Sequence, residues 1–263
     1  MKKNKIDSHI HSTYSDGNTP PKGMVEAALE KGLHQINFTD HMPMPFSTRY
    51  AMDVDQLPNY RKEIQGLAKR FAPKIRITMG LEMEYLPQFH EWVQAIAEED
   101  WETRLLSVHT LVKSPGNHCL INGTEAEFLT GLNALFNGDI KSMCRAYYKN
   151  IQSGIKTQLF QTLAHLDVFE KHNVHNRFFD SHAQWYQDLV METLELAAEN
   201  KMNMEINTAG MGHPIQRPYP APWIITNAKE KGIQLILGSD AHAPESLGQY
   251  FNEGGIHDLT PDH

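Results

Sequence analysis

The chain has 263 residues, of which 40% are hydrophobic and 21% are charged, a composition typical of a globular protein that buries a sizeable core. Its net charge of −8 at pH 7 argues against a nucleic-acid-binding protein, which needs a basic face. No stretch reaches the roughly 18 apolar residues of a membrane span, and the sequence does not open with the apolar run of a signal peptide, so we expect a cytoplasmic protein with no membrane partner.

Short apolar runs alternate with helical patterns along the whole chain, and these runs predict the strands. The seven predicted strands are Lys5–Asp7, Gln35–Thr39, Ile75–Gly80, Leu105–Val108, Leu159–Ala164, Met204–Ile206 and Gln234–Leu237. Strands that alternate with helices form a mostly parallel sheet. We expect one α/β domain over residues 1–263, because no repeat, low-complexity tract or linker divides the chain.

Six helical patterns lie between these strands. They cover residues 20–32, 56–72, 124–136, 139–154, 181–201 and 220–232. The first and the last begin with proline and end with glycine, the usual asymmetry of helix ends. Asp55 is predicted to cap the second helix, and Thr124 with Glu127 predicts a capping box at the start of the third.

A closed, TIM-barrel-like arrangement of seven or eight strands is preferred over an open, doubly wound sheet. Open sheets that bind nucleotides carry the fingerprints G-x-G-x-x-G or G-x-x-x-x-G-K-[ST], and this sequence contains neither. In a barrel the C-terminal ends of all strands converge on one face, where such enzymes build their active sites. Residues that follow different strands should therefore meet in one cup.

Side chains able to bind metal follow six of the seven predicted strands. In chain order they are His9 and His11, Asp40 and His41, Glu82 and Glu84, His109, His165 and Asp167, and Asp240 and His242. His9 and His11 are two residues apart, so in an extended segment they face the same side and can bind one ion. A lone histidine at a strand end is usually structural, but a succession of such ends indicates a metal site.

Imidazole and carboxylate ligands together suit Zn, Mn or Fe. One tetrahedral site takes four ligands, and the strand ends offer more than that. The count predicts two or three divalent ions, with a carboxylate such as Glu82 bridging two of them. Glu84 and Asp167 are expected to support the ligands or to be structural. Cys119 and Cys144 are too few for a disulfide framework and are expected to be reduced thiols.

Eight motifs occur in an order that resembles the PHP (polymerase and histidinol phosphatase) family, and its histidinol-phosphatase branch in particular. They are DSHIHSTYSDG, FTDHMPMP, GLEMEY, SVH, AHLD, NTAG, YPAP and LGSDAH, spread over about residues 6 to 250. The resemblance implies a distorted seven-stranded (β/α) barrel that holds up to three metal ions.

The resemblance also implies how the ligands are shared. One ion would be held by His9, His11, Glu82 and Asp240, a second by Glu82, His109 and His165, and a third by Asp16, His41 and His242. Catalytic roles are expected for Glu82, Asp240 and His242.

The activity that the resemblance implies is a metal-dependent phosphomonoesterase. Its expected substrate is L-histidinol phosphate, which it would hydrolyse to L-histidinol and phosphate in histidine biosynthesis, by attack of a metal-bridging hydroxide on phosphorus. Other members of the branch usually carry arginine after NTAG, whereas this chain has Met211, Gly212 and His213. Arg217, Lys171 and His213 are therefore the expected substrate-binding residues, with Arg217 preferred because a guanidinium can bind phosphate through two hydrogen bonds.

Three alternatives to histidinol phosphatase remain at this point. The first is a phosphatase or phosphoesterase for another small phosphate ester. The second is an amidohydrolase-like hydrolase, also a barrel that opens with HxH, although it would commonly use a bridging lysine where this chain has Glu82. The third is a non-catalytic metal-binding module. For either phosphatase the predicted partner is a small phosphorylated metabolite.

Overall fold

The computed structural model describes residues 6–114, 116–253 and 255–256. In these ranges the strands are β1 (Ile6–Ile10), β2 (Gln35–Phe38), β3 (Arg76–Glu84), β4 (Thr103–Ser107), β5 (Thr110–Ser114), β6 (Asn117–Leu120), β7 (Thr162–Leu163), β8 (Asn203–Asn207) and β9 (Leu235–Gly238). Seven of them form one parallel sheet in the order β1-β2-β3-β4-β7-β8-β9, and β5 and β6 form a separate antiparallel hairpin. Lys5, where the first predicted strand begins, lies outside the described residues.

The sheet curls until β9 meets β1, which confirms the predicted α/β barrel. The His11 N–H donates to the Ala241 carbonyl oxygen at 2.8 Å, and the Asp240 N–H donates to the His9 carbonyl oxygen at 2.9 Å. These two hydrogen bonds close the barrel beside residues that the sequence analysis assigned to the metal site.

Seven helices surround the described part of the barrel: α1 (Pro21–Glu30), α2 (Leu57–Phe71), α3 (His90–Ala97), α4 (Glu125–Phe136), α5 (Ile140–Lys156), α6 (Gln184–Glu199) and α7 (Pro222–Glu230). The capping box at α4 is confirmed, since the Thr124 side chain accepts from the Glu127 N–H and the Glu127 side chain accepts from the Thr124 N–H. The predicted Asp55 cap is wrong. A 3-10 turn over Val54–Gln56 contains Asp55, and α2 begins at Leu57 without a side-chain cap.

Strand β3 extends four residues further than its apolar run predicts. Its continuation pairs with β4 from Gly80 opposite Thr103 to Glu84 opposite Ser107. Glu82 and Glu84 therefore lie inside a strand, and His9 likewise lies inside β1, rather than after the strands as expected. These polar side chains are buried at the C-terminal end of the barrel.

Helix α3 and the hairpin β5–β6 were not predicted from the sequence. The hairpin follows β4 directly, so it stands at the same end of the barrel as the buried histidines. Cys119 and Cys144 are both buried free thiols, as expected. Within the described ranges, no helix is both long enough and apolar enough to cross a membrane.

Candidate metal centre

The nine residues predicted as metal ligands lie together at the C-terminal end of the barrel. They are His9, His11, Asp16, His41, Glu82, His109, His165, Asp240 and His242. All six histidine rings except that of His242 are buried, and Asp16 and Asp240 form the more accessible edge. The barrel thus gathers residues from both ends of the sequence into one cup.

Glu82 occupies the centre of this cup, and its two carboxylate oxygens face different histidines. Oε2 lies 3.2 Å from His9 Nε2 and 3.1 Å from His41 Nδ1. Oε1 lies 3.1 Å from His109 Nε2 and 2.8 Å from His165 Nε2. A carboxylate whose two oxygens face separate sets of imidazoles could be shared by two ions.

The outer part of the cup is built around Asp16 on the turn after β1. Asp16 Oδ1 lies 3.1 Å from His242 Nε2, 3.7 Å from His41 Nε2 and 3.8 Å from His11 Nδ1. The His11 and His242 rings stack with their centroids 4.2 Å apart. These four side chains can direct one donor atom each toward a single point.

Three groups of donor atoms are compact enough to hold an ion in the described part of the chain. They are His11, Asp16, His41 and His242; His9, His11 and Asp240; and His41, Glu82 and His109. This grouping overlaps the one implied by the family resemblance, but it places His11 also with Asp16 and His41 also with Glu82. It leaves Glu82 out of the group that contains His9 and Asp240. His165 belongs to none of the three groups but contacts Glu82.

The chemistry of the donor set fits divalent metal ions. His9 Nε2 and His11 Nε2 lie 3.0 Å apart, and His109 Nε2 and His165 Nε2 lie 3.2 Å apart. Nitrogen atoms this close face one common space, and each can offer its lone pair to an ion once its proton has been released. Zn, Mn and Fe ions accept imidazole nitrogen and carboxylate oxygen donors together. The cup therefore suits a site with several ions.

Two buried carboxylates outside the cup fix the orientation of the histidines. Glu84 accepts from the backbone N–H groups of His109 and Thr110, both at 2.7 Å, and its other oxygen lies 2.9 Å from His109 Nδ1. Glu205 in β8 lies 2.7 Å from His9 Nδ1 and accepts from the His165 N–H at 2.9 Å. Such contacts fix the ring tautomer and raise the basicity of the ligand nitrogen.

Glu84 was expected to be a supporting residue, but Glu205 was not identified from the sequence. Glu205 is the one charged residue of the short strand NMEIN, and an apolar residue stands on each side of it. A buried carboxylate needs a polar or charged partner. A glutamate within an apolar strand therefore indicates a polar contact in the interior, and this is the signal by which Glu205 could have been found. The partner, His9, lies 196 positions away in sequence.

Asp40 and Asp167 also follow strands but lie outside the ligand groups. Asp40 accepts from the Ser12 N–H at 2.8 Å and from the Ser15 hydroxyl at 2.7 Å, so it holds the turn that carries Asp16. Asp167 accepts from the Ala221 N–H at 2.9 Å. Both carboxylates thus organise loops at the rim of the cup.

The close packing of charges shifts the pKa values of the histidines in opposite directions. Burial would lower the pKa of His109, but the carboxylates of Glu82 and Glu84 outweigh burial and raise it to about 10. Burial likewise opposes the charge of His242, yet its hydrogen bond to Asp16 and the charge of Asp240 raise its pKa to about 9. Burial prevails at His41 and lowers its pKa to about 3.

The neighbouring histidines lower the pKa values of the carboxylates in the cup. Burial would raise the pKa of Glu82, but the charges of His41, His109 and His9 hold it well below its usual range. The pKa of Asp240 is also held well below its usual range, against the effect of burial, by His9 and His11. Both groups are therefore ionised and ready to bind cations. Asp240 also adopts a left-handed backbone, with φ of 54°, which is a type of strain found at functional sites.

The three predicted substrate-binding residues lie on the loops that follow β7 and β8. Lys171 Nζ donates to the Asn122 carbonyl oxygen at 2.6 Å, and burial lowers the pKa of this amine while Asp240 opposes that effect. His213 Nδ1 lies 3.1 Å from the Tyr219 hydroxyl. Lys171 and His213 are thus both within electrostatic reach of Asp240.

Arg217 has carboxylate partners of its own. Its Nη1 lies 2.9 Å from Asp167 Oδ2 and its Nη2 lies 3.2 Å from Glu170 Oε2. This arrangement ties the loop after β8 to the loop after β7. The Arg217 side chain is 18% exposed, so only a small part of it faces solvent.

Comparisons with known proteins agree with this architecture. A family profile described as PHP domain matches residues 7–209. The probable histidinol-phosphatase of Deinococcus radiodurans is 32% identical over 249 residues, covering 93% of this chain and 89% of the relative. The histidinol-phosphatase of Bacillus subtilis is 29% identical over 261 residues, covering 93% of this chain and 96% of the relative.

A solved structure is also similar in fold. It is the histidinol phosphate phosphatase of Lactococcus lactis, complexed with zinc, L-histidinol and phosphate. It aligns with a TM-score of 0.76 at 22% identity and covers 97% of this chain and 94% of that chain. At this level of identity the likeness establishes the barrel fold alone.

Proposed function

The chain belongs to the PHP family, and from this membership we propose that it is a metal-dependent phosphatase that hydrolyses L-histidinol phosphate to L-histidinol and phosphate. The observation that carries the proposal is the position of Glu82, whose two oxygens face separate sets of histidines at 2.8 to 3.2 Å. Relatives from two organisms that match nearly the whole chain are named histidinol-phosphatases.

The proposed metal ligands are the nine residues of the cup, with Glu82 shared between ions. Two or three divalent ions, drawn from Zn, Mn and Fe, would supply Lewis acidity toward the phosphoryl oxygens and the leaving oxygen and would lower the pKa of water. Glu84 and Glu205 keep the imidazoles of His109 and His9 in the orientation that presents Nε2 to the cup.

Proton transfer is assigned to the accessible edge of the cup. Asp240 Oδ1 lies 3.2 Å from His11 Nε2, and Asp240 Oδ2 accepts from the Asn207 side-chain amide at 3.1 Å. His242 is 38% exposed and can exchange protons with solvent through its ring. We keep Glu82, Asp240 and His242 as the catalytic residues.

Binding of the phosphoryl group is assigned to the loops after β7 and β8. Lys171 has one protein acceptor for its ammonium at 2.6 Å and lies near Asp240, so it can also reach an anion above the cup. His213 can donate a further hydrogen bond. Arg217 keeps its predicted role, with the pairing to Asp167 and Glu170 limiting how many of its N–H groups can reach a ligand.

A different small phosphate ester is the second candidate substrate. It is favoured by the sequence after NTAG, where Gly212 provides no side chain to a phosphate and a Cβ there would meet the Tyr250 hydroxyl at 3.2 Å. The proposed partner in either case is a small phosphorylated metabolite. The cytoplasmic location expected from the sequence stays a prediction.

The test is a comparison of substrates with the metal-loaded protein. We expect kcat/KM for L-histidinol phosphate to exceed the values for sugar phosphates, nucleotides and phosphotyrosine. The Glu82→Gln variant, purified in the same way, reports any contaminating phosphatase. A lower kcat/KM for L-histidinol phosphate than for a simple aryl phosphate would exclude the biosynthetic assignment and leave the second candidate.

A further inference from the structure

A largely buried cluster of charges lies between the loops that follow β7 and β8, outside the ligand groups of the metal centre. It consists of Asp167 and Glu170 from the first loop and Arg217 from the second. Arg217 Nη1 lies 2.9 Å from Asp167 Oδ2, and Arg217 Nη2 lies 3.2 Å from Glu170 Oε2. In the described part of the chain no other cation lies within 4.0 Å of either carboxylate. This loop bridge thus shares one positive charge between two buried negative charges.

The backbone between the two carboxylates explains how one guanidinium reaches both. Val168–His172 is a 3-10 helix that follows Asp167 directly, and the Glu170 N–H donates to the Asp167 carbonyl oxygen at 2.8 Å. Side chains three residues apart eclipse each other in such a turn, so Asp167 and Glu170 lie on one face. Lys171 comes next, and its Nζ contacts a backbone carbonyl oxygen outside this turn at 2.6 Å. The guanidinium therefore holds one face of the turn, while Lys171 leaves it on another.

Arg217 is itself fixed relative to the end of β8. Tyr219, two residues later, exchanges both backbone hydrogen bonds with Asn207, the last residue of that strand. A Cβ on Gly210 would lie 2.2 Å from the Arg217 carbonyl oxygen, so the loop also packs against its own start. Arg217 Nη1 donates to the Pro218 carbonyl oxygen at 2.9 Å. The guanidinium therefore extends from a backbone that the barrel holds in place.

Glu170 connects the loop bridge to the edge of the metal centre. Its carboxylate also accepts from the Ser181 hydroxyl at 2.6 Å, so it is held from two sides. Lys171 is the next residue in the chain and lies within electrostatic reach of Asp240, at the accessible edge of the cup. A displacement of Glu170 moves the backbone that carries Lys171, and with it the position of the ammonium. The loop bridge therefore sets where this cation stands relative to the cup.

We propose that Asp167 and Glu170 are positioning residues, which act through the loop bridge to hold the Lys171 ammonium where it meets a phosphoryl group over the metal centre. The inference rests on the proposed function, in which Lys171 binds that group. It gives Arg217 a role in addition to any contact of its own with phosphate. Glu170 is the residue to test, because a buried carboxylate repels phosphate. Any gain in phosphate affinity that depends on Glu170 must therefore pass through its neighbours.

The experiment measures, by calorimetry, the affinity of the metal-loaded protein for inorganic phosphate, with the metal content determined on the same sample. We expect Glu170→Gln to weaken phosphate binding about 10-fold, as the loss of one charged hydrogen bond would, at unchanged metal content. Glu170→Asp keeps the charge but shortens the reach to Arg217, so it should weaken phosphate binding in the same direction. Lys171→Met should weaken it about 10-fold or more. Adding Glu170→Gln to Lys171→Met should change the affinity by less than about twofold further, because Glu170 acts through Lys171.

Glu195→Gln is the matched control, because it removes the same charge from an exposed ion pair with Lys231. It should change the phosphate affinity by less than about twofold. Unchanged or tighter phosphate binding in either Glu170 variant, a loss of metal, or fully additive losses in the double variant would overturn the positioning role. If the unaltered enzyme failed to hydrolyse L-histidinol phosphate while the phosphate affinities changed as expected, the proposed substrate would be wrong and the positioning role would stand.

Discussion

Glu82 is the residue on which the metal centre depends most, because five of the six histidines lie within 3.4 Å of its carboxylate. Glu82→Gln keeps the size of the side chain but removes the charge, so it should reduce the turnover rate by about 10²–10³ or more and lower the metal content. Elemental analysis and kcat on the same preparation measure both effects.

Glu84→Gln is the size-matched comparison, since Glu84 touches His109 rather than the interior of the cup. Loss of such a supporting contact usually costs about 10–100-fold in metal affinity or activity, a milder effect than at Glu82. If Glu84→Gln removed the metal and Glu82→Gln retained it, the central carboxylate would have been assigned wrongly.

His109 and His242 predict how metal binding depends on pH. With pKa values raised to about 10 and about 9, both rings carry protons at pH 7 in the metal-free protein. Burial would lower the pKa of His9, but the charges of Glu205, Asp240 and Glu82 raise it well above its ordinary value as well. Metal ions bind the neutral imidazole, so loading must release at least the protons of His109 and His242, and the overall affinity should fall at least about 100-fold for each pH unit below 9. Calorimetric titration at pH 7 in two buffers of different ionisation enthalpy counts the protons.

The same shifts set the stability of the metal-free protein. A histidine whose pKa is higher in the folded than in the unfolded state stabilises the fold when it is protonated. The contribution is complete below about pH 6.5, the ordinary histidine pKa, and is lost as the pH rises toward 9 to 10. The metal-free protein should therefore lose stability between pH 6.5 and 9, whereas the loaded protein binds its ions more tightly over that range. Metal loading without proton release would contradict the assignment of these rings as ligands.

At the scale of the element, Gly238 in β9 leaves room for the side chains of Glu205 and His9 because it has no side chain of its own. A Cβ at this position would lie 2.1 Å from Glu205 Oε1 and 2.7 Å from His9 Cβ. Gly238→Ala must displace Glu205, so we expect it to lower the free energy of unfolding by about 1–3 kcal/mol and to weaken metal binding. Urea denaturation of the wild type and the variant measures the first effect.

Gly66→Ala is the control for this substitution. Gly66 lies inside α2, where an added Cβ meets no atom within 4 Å. Replacing a helical glycine there should raise the free energy of unfolding by about 0.5–1 kcal/mol. If both substitutions changed the free energy of unfolding by the same amount and in the same direction, the contact with Glu205 would not be the reason that position 238 requires glycine.

For the molecule as a whole, bound ions would connect strands that the chain links only through helices. The proposed ligands come from β1, β3 and the segments after β1, β2, β4, β7 and β9. An ion that binds only the folded state, at 1,000 times its Kd, adds about 4 kcal/mol, and each kcal/mol shifts Tm by about 2–4 °C in a chain of this size. Loss of one such ion should lower Tm by about 10 °C, so chelation of two or three ions should lower it by at least that much, measured by calorimetry.

Returning Zn or Mn after removal of the chelator should restore both the Tm and two to three ions per chain by elemental analysis. One ion or none in a fully active sample would exclude a site with several ions. The single domain over residues 1–263 stays a prediction, and a single calorimetric transition is the outcome it requires.

Much of the fold could be predicted because local patterns already specify it. Proline at the start and glycine at the end delimited α1 and α7, and the Thr124–Glu127 capping box marked the start of α4. The extension of β3 to Glu84 was missed because its last residues alternate with carboxylates, and only pairing with β4 makes them a strand. The Asp55 cap failed because a 3-10 turn precedes α2.

The sequence by itself determined the alternation of strands and helices, the family and the candidate ligands, since each depends on residues that are close together in the chain. The tertiary structure decided which of the polar residues meet. Asp40 lies outside the ligand groups and accepts a hydrogen bond from the Ser12 N–H. Glu205 contacts His9, which is 196 positions away in the sequence. The physical reason is that closure of the barrel, not sequence spacing, brings strand ends within hydrogen-bonding distance. It also requires every buried carboxylate to find a partner there.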